Sequence, residues 1–394
     1  MKSSKMSANN YKRPIIAAFA SNGYIRKLKE GDTDFKNYFR IDELFKANKI
    51  ANTTLYFFSI HDVDFKNKRI NGIYYDEQRK RWRQKYFPYP DVLYDRGGGY
   101  LASQKAINER IRNELDRMNV LKINPLYTFN KYDLFEKLKK FPAMRQYLPH
   151  TIHFNREEDL KEMLKISKTV YIKDVTGSNG KGVMRVRKLP NNRYEYSYNN
   201  VEGLTKRTVS SRKALMKAID SYFSSKTKII QSAIELLEIN DRLIDMRATL
   251  QRNKDGRLEI NSIPVRIGNT NSPITTSRTG SSTYTFEEFF KKVLYYSILP
   301  NSEFEIHRLK RKIQHFLIQV YTHVERVYGE FGEIGIDFAI DKNGKVWLIE
   351  CNAKPGKDTL YNCYGRETID QAFLNPLEYG KWKYRTSRLR ATNK

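Results

Sequence analysis

Apolar and polar positions along the chain sort it into a series of strands and helices. Pro14 to Ala20 is an unbroken apolar run, the pattern of a strand buried on both faces, and Leu55 to Ile60 repeats it after a helix around Phe39 to Asn48. Strand, helix and strand in that order predict a small α/β unit. Between Lys66 and Phe87 the pair Asn71-Gly72 predicts a hairpin turn. Asp91 to Arg96 reads as a strand opening into glycines at 97 to 99, either a ligand-facing edge or a strand with a flexible turn. Ala102 to Met118 has helical spacing, and Leu134, Phe135 and Leu138 predict a helix entered through Lys131. Pro149 breaks the pattern and marks a boundary near Tyr147 to Thr151.

The second half alternates faster. A helix from Glu157 leads to a strand at Thr169 to Lys173, a glycine-rich loop at Asp174 to Gly182, and a strand at Val183 to Val186. Such a flap can fold over a triphosphate, with the backbone of Gly177, Ser178, Gly180 and Gly182 and the side chain of Lys181 meeting phosphate oxygens. Strands at Lys228 to Ile234, Leu243 to Gln251 and Leu258 to Ile267 follow a helix at Ser210 to Ser224. Asp245 and Arg247 share one side of their strand; they pair with each other or, near a nucleotide, hold ribose hydroxyls and phosphate. Thr270 to Thr285 reads as a loop, Phe286 to Tyr296 and Glu303 to Tyr328 as helices, and Tyr361 to Phe373 as a closing helix. Residues 1–13 and 376–394 read as a mobile arm and a basic tail.

Between Glu333 and Gly356 lies the stretch richest in chemistry. Two β-prone runs flank Asp341-Lys342-Asn343-Gly344, a hairpin signal. If Ile340 pairs with Lys345, Asp337 lies opposite Leu348 and diagonal to Glu350. Ile336, Phe338, Ile340, Trp347, Ile349 and Cys351 then form a core face. Gly335, Asp337, Ala339, Val346, Leu348, Glu350 and Asn352 form the other. Two carboxylates and an amide oxygen on one face suit a hard cation such as Mg²⁺.

Composition narrows the function. Seventy-two Lys and Arg against 44 acidic residues give a net charge of +28, which attracts polyanions or reflects a Lys-rich host composition. No nucleic-acid module accompanies the charge, which makes nucleic acid an unlikely partner. Two cysteines exclude a disulfide scaffold, and six histidines argue against a zinc cluster. No apolar run reaches the ~18 residues of a membrane span, and the expectation is a soluble, cytoplasmic protein.

The segment Asp337…Glu350-Cys351-Asn352…Pro355-Gly356 resembles the metal-binding segment of ATP-grasp enzymes. With Pro90-Asp91-Val92-Leu93-Tyr94-Asp95-Arg96, Lys131, Lys173 with its glycine loop, and Asp245-Met246-Arg247, residues 14–375 resemble the YheC/YheD-type ATP-grasp family, described as endospore coat-associated. The resemblance implies an N-terminal α/β domain at 14–125 and an ATP-grasp domain at 126–375, with a flap subdomain at about 150–230 and an antiparallel sheet in the C-terminal subdomain. It further implies that Lys131 and Lys173 contact phosphates, that Gln231 and the backbone of Ala233 and Ile234 form an adenine hinge, and that Asp245 holds the ribose. Arg247 and Arg266 would join Lys173 as catalytic residues facing phosphate or acyl-phosphate oxygens, and Asp337, Glu350 and Asn352 would bind one or two Mg²⁺. The implied activity is ATP-dependent ligation of a carboxylate to an amine on a peptide, protein or amino acid. The alternative is a nucleotide-binding coat or assembly protein without turnover. Related sequences carry an Asn and a Gly-Gly pair where this chain reads Ile274 to Ser281, and the acceptor-side contacts are not carried over.

Overall fold

The structure, a computed structural model, describes residues 13–97, 102–177, 180–200, 203–224, 226–270, 272–275, 281–293 and 302–392. Ser178, most of the N-terminal arm, two of the three glycines at 97–99 and residues 276–280 lie outside them. Among the described residues three sheets follow one another along the chain.

In the first, Ile15–Phe19 lies parallel to Thr54–Phe58 on one side and to Val92–Asp95 on the other. Ile16 and Ala18 enter one core with Ile25 and Leu44; Ala17 and Phe19 enter another with Tyr56, Phe58 and Leu115. Burial on both faces explains the unbroken apolar run. The hairpin beside it turns at residues 77–80, between strands Arg69–Asp76 and Arg81–Pro88, and not at Asn71-Gly72. Gly72 serves close approach instead, since a Cβ there would lie 2.5 Å from the Tyr56 ring.

The second sheet has six antiparallel strands, with helices Glu157–Ile166 and Arg212–Phe223 supplying apolar side chains to its core. In the third, strand Arg242–Arg252 pairs with Val265–Ile267 and with Glu333–Ile340, and the last of these pairs with Val346–Asn352. The expected strand from Leu258 to Ile267 is two, Leu258–Ser262 and Val265–Ile267, with Pro264 between them. Helix Glu303–Tyr328 starts in a capping box of Ser302 and Glu305 and buries Ile313, Phe316, Leu317, Val320 and Val324 against this sheet.

The expected basic tail at 376–394 is corrected by the structure. Helix Arg366–Thr392 runs through Pro376, and Leu377, Tyr379 and Tyr384 are buried in the core around Ile16 and Ala18. Gly380 admits the close approach, because a Cβ there would stand 3.2 Å from Ile16 Cδ1. Lys381 donates to the carbonyl of Ala51, the last residue of helix Tyr38–Ala51, at 2.6 Å, and so meets one of that helix's unpaired carbonyls. Among the described residues no helix is long and apolar enough to cross a membrane.

Candidate functional site

The late hairpin folds in a different register from the one the turn residues suggest. Ile340 pairs with Val346 and Phe338 with Leu348; then the ladder shifts, so that Asp337 faces Glu350 directly. Ile349 is the extra residue of this bulge. Asp341 lengthens the turn by accepting from Asn343 N and Lys345 N, both at 2.9 Å, and from Trp347 Nε1 at 2.8 Å. Val346 and Leu348 consequently join Phe338 in the core, whereas Trp347 and Ile349 do not. The bulge then flips the alternation back, so both carboxylates end on one face.

The neighbouring strands extend that face. Arg247 pairs in register with Asp337, and Asp245 with Arg266, so five charged side chains from four strands stand together. Arg247 grips both oxygens of Asp337, with Nε at 2.5 Å from Oδ1. Arg266 makes two 2.7 Å bonds to Asp245 and comes within 3.6 Å of Asp337. The Asn352 amide is 3.4 Å from both Asp337 and Glu350. Burial alone would raise the Asp337 carboxyl, but Arg247 and Arg266 outweigh it and hold it at about 2. Asp245 goes the other way: burial pushes it up despite Arg266.

Two lysines approach from the flap side. Lys131 opens helix Lys131–Lys139; its ammonium bonds the Gly177 carbonyl and lies 3.6 Å from Glu350. Lys173, on strand Thr169–Asp174, donates to Gln231 Oε1 at 2.6 Å, and Gln231 in turn donates to Thr151 at 2.8 Å. Burial pulls the Lys173 ammonium down to about 8, against the attraction of Glu350 and with repulsion from Lys131. Four cations therefore surround three carboxylates, which leaves the cluster suited to a polyanion. The oxygen-only set of Asp337, Glu350 and Asn352 fits a hard cation, provided Arg247 yields an oxygen of Asp337.

The remaining expected residues divide. Gly180 and Gly182 have left-handed φ of 73° and 69°, and a Cβ on Gly182 would stand 2.8 Å from that of Asp174, so the loop needs them. Lys181 is exposed and is not brought to the carboxylates. Asp245, expected at the ribose, has both its oxygens bonded to Arg266 and a further bond from Thr275. The Ala233 N–H donates to the Thr169 carbonyl at 3.0 Å, and the Ile234 carbonyl accepts from Leu236 N in a local turn at 2.9 Å, so one backbone group of each expected hinge residue is already bonded. Thr151 and Thr275 were not anticipated; a lone threonine carries no sequence signal, and each matters only through the partner it reaches.

Comparison with known proteins finds a family model, described as YheC/D like ATP-grasp, that matches residues 119–382. The endospore coat-associated protein YheD of Bacillus subtilis is 25% identical over 345 residues, covering 87% of this chain and 73% of that protein. YheC of the same organism is 22% identical over 325 residues, covering 82% and 85%. The VanG D-Ala:D-Ser ligase from Enterococcus faecalis superposes with a TM-score of 0.52 at 11% identity, over 94% of this chain and 100% of that one, and so shares the fold.

Proposed function

Since the chain belongs to the YheC/D-like ATP-grasp family, we propose that it is an ATP- and Mg²⁺-dependent ligase that joins a carboxylate to an amine through an acyl phosphate. The observation that carries this reading is the direct pairing of Asp337 with Glu350 beneath Lys131 and Lys173. Asp337, Glu350 and Asn352 would hold one or two Mg²⁺, which when bound would screen the charge of the triphosphate. Lys173 and Lys131 bind phosphate oxygens, and Lys131 also holds the carbonyl of Gly177 in the glycine loop. Arg247 and Arg266 present guanidinium groups to the transferring phosphoryl and to the acyl phosphate. Asp245 acts by positioning Arg266, and Gln231 by positioning Lys173. Adenine meets the strand after Gln231 through the backbone of Ala233 and Ile234 that pairing leaves over. No acid–base triad is needed, because orientation and electrostatics carry such a transfer.

The substrate is a peptide, protein or amino acid, and association with the spore coat follows the names of the relatives. A second reading, nucleotide binding without turnover, draws on the grip of Arg247 on both oxygens of Asp337. One experiment separates them: ADP release from ATP and Mg²⁺ is followed with panels of amines and acids, with mass spectrometry of the products. A product heavier by one amine less water supports the ligase. ADP binding with no release under any substrate supports the second reading.

A further inference from the structure

A hydrogen-bond chain runs behind Lys173 and ends on a backbone carbonyl. Lys173 donates to Gln231 Oε1 at 2.6 Å, Gln231 donates through Nε2 to Thr151 Oγ1 at 2.8 Å, and the Thr151 hydroxyl donates to the Pro149 carbonyl at 2.9 Å. Strand pairing builds it. Gln231 lies directly opposite Thr151 in the ladder between strands Lys228–Ser232 and Thr151–Phe154, and Lys173 stands diagonal to it on the other side, opposite Ile229. Thr151 and Gln231 are 6% and 4% exposed, so solvent has little access to either.

The direction of the chain is fixed at its far end. A carbonyl only accepts and a threonine hydroxyl has one proton, so once Pro149 takes that proton, Thr151 faces Gln231 with lone pairs alone. Those lone pairs call for the NH₂ end of the amide, which leaves Oε1 toward Lys173. Turned the other way, the amide would set N–H groups against an ammonium, donor against donor. Lys173 favours the same orientation, but it sits on a flexible four-carbon stem, whereas Thr151 is tied to the main chain. An ammonium has three donors, so Lys173 keeps Gln231 and still offers two to phosphate. Without a fixed acceptor behind it, the attraction left to the ammonium is Glu350, which already draws on Lys131 at 3.6 Å and belongs to the proposed metal set.

We propose that Thr151 is a positioning residue for phosphate binding: it fixes the Gln231 amide, and through it the Lys173 ammonium, before the nucleotide arrives. The role rests on the reading of Lys173 as a phosphate ligand. Calorimetry on the full chain reads ADP affinity, and displacement of ADP reads adenosine, which lacks the phosphates. Thr151→Val keeps the shape of the side chain and removes the hydroxyl; ADP binds about threefold to tenfold more weakly, as one lost hydrogen bond permits, and adenosine binds as it does to the wild type. Thr151→Ser keeps the hydroxyl and restores the wild-type ADP affinity. In a Lys173→Met background Thr151→Val costs less than about twofold more, because the residue it acts through is gone. Thr151→Ala, a second change that removes the hydroxyl, gives the same pattern and stands in if the Thr151→Val chain does not fold. ADP affinity within twofold of wild type in the folded variant, an equal loss for adenosine, or the full loss in the Lys173→Met background overturns the proposal. Wild-type ADP binding that ignores Thr151 leaves the ligase reading standing, and a wild-type chain that binds no ADP removes both.

Discussion

Lys173→Met separates nucleotide binding from folding in one substitution. In the free protein the ammonium sits at about 8 because burial disfavours its charge. Holding it there and not at its ordinary 10.5 costs on the order of 3 kcal/mol, and about 2 kcal/mol once the remaining exposure of the side chain is counted. Methionine removes that cost but strips Gln231 Oε1 of its donor, a buried loss of about 1–2 kcal/mol. The two nearly cancel, and Tm should move by less than about 4 °C. A charge-assisted bond to phosphate is worth about 1.5–3 kcal/mol, so ADP affinity should fall about tenfold to a hundredfold. The pH dependence adds a second readout. Phosphate prefers the protonated lysine, so wild-type ADP affinity holds below pH 7 and declines as pH rises through 8, a limb the methionine variant lacks. Stability changes with the opposite sign. The folded lysine titrates below its unfolded value, so the fold gains stability between about pH 8 and 10.5, and the variant loses that slope. Titration calorimetry and differential scanning calorimetry read the two effects. ADP affinity within twofold of wild type, or an unchanged pH limb in the variant, refutes the placing of Lys173 on the nucleotide.

Glu350→Gln should cut ADP release at least about a hundredfold while the fold persists, and unchanged turnover would remove Glu350 from the metal set. Arg266→Met strands the buried Asp245 carboxylate and should cost about 3–5 kcal/mol; adding Asp245→Leu should restore most of the lost Tm, and no recovery would argue against the pair. Removing residues 376–394 exposes the pockets of Leu377, Tyr379 and Tyr384, at about 1.5–3 kcal/mol each, and should abolish cooperative melting; a Tm near that of the full chain would restore the mobile tail.

Where the fold was legible, local spacing sufficed. The long helix announces itself by Phe316, Val320 and Val324 at helical spacing, and its structural limits match those read from the sequence. Gly72 could not be read, because the glycine that makes a turn and the glycine that admits an aromatic ring look alike in one dimension. Pro376 and Gly380 look like helix breakers, and only the nearness of Ile16 explains the glycine. In the candidate site, the alternation brought Asp337, Glu350 and Asn352 to one face even though the register was misread, because turn and bulge each shift the pairing by one. Which cation meets which anion was not legible. Asp245 could pair with Arg247, two residues away, yet it takes Arg266 from across the ladder, since directly opposed residues are the nearer neighbours.

The dependence of Ile16 and Ala18 on helix Arg366–Thr392 has a consequence for biosynthesis. Ile25 and Leu44 cover part of that side of the first strand early, and the rest stays open until more than three hundred later residues have been added. Its sheet closes only when the distant helix arrives, so a polypeptide halted short of that point would hold a sticky surface for chaperones or proteases to find.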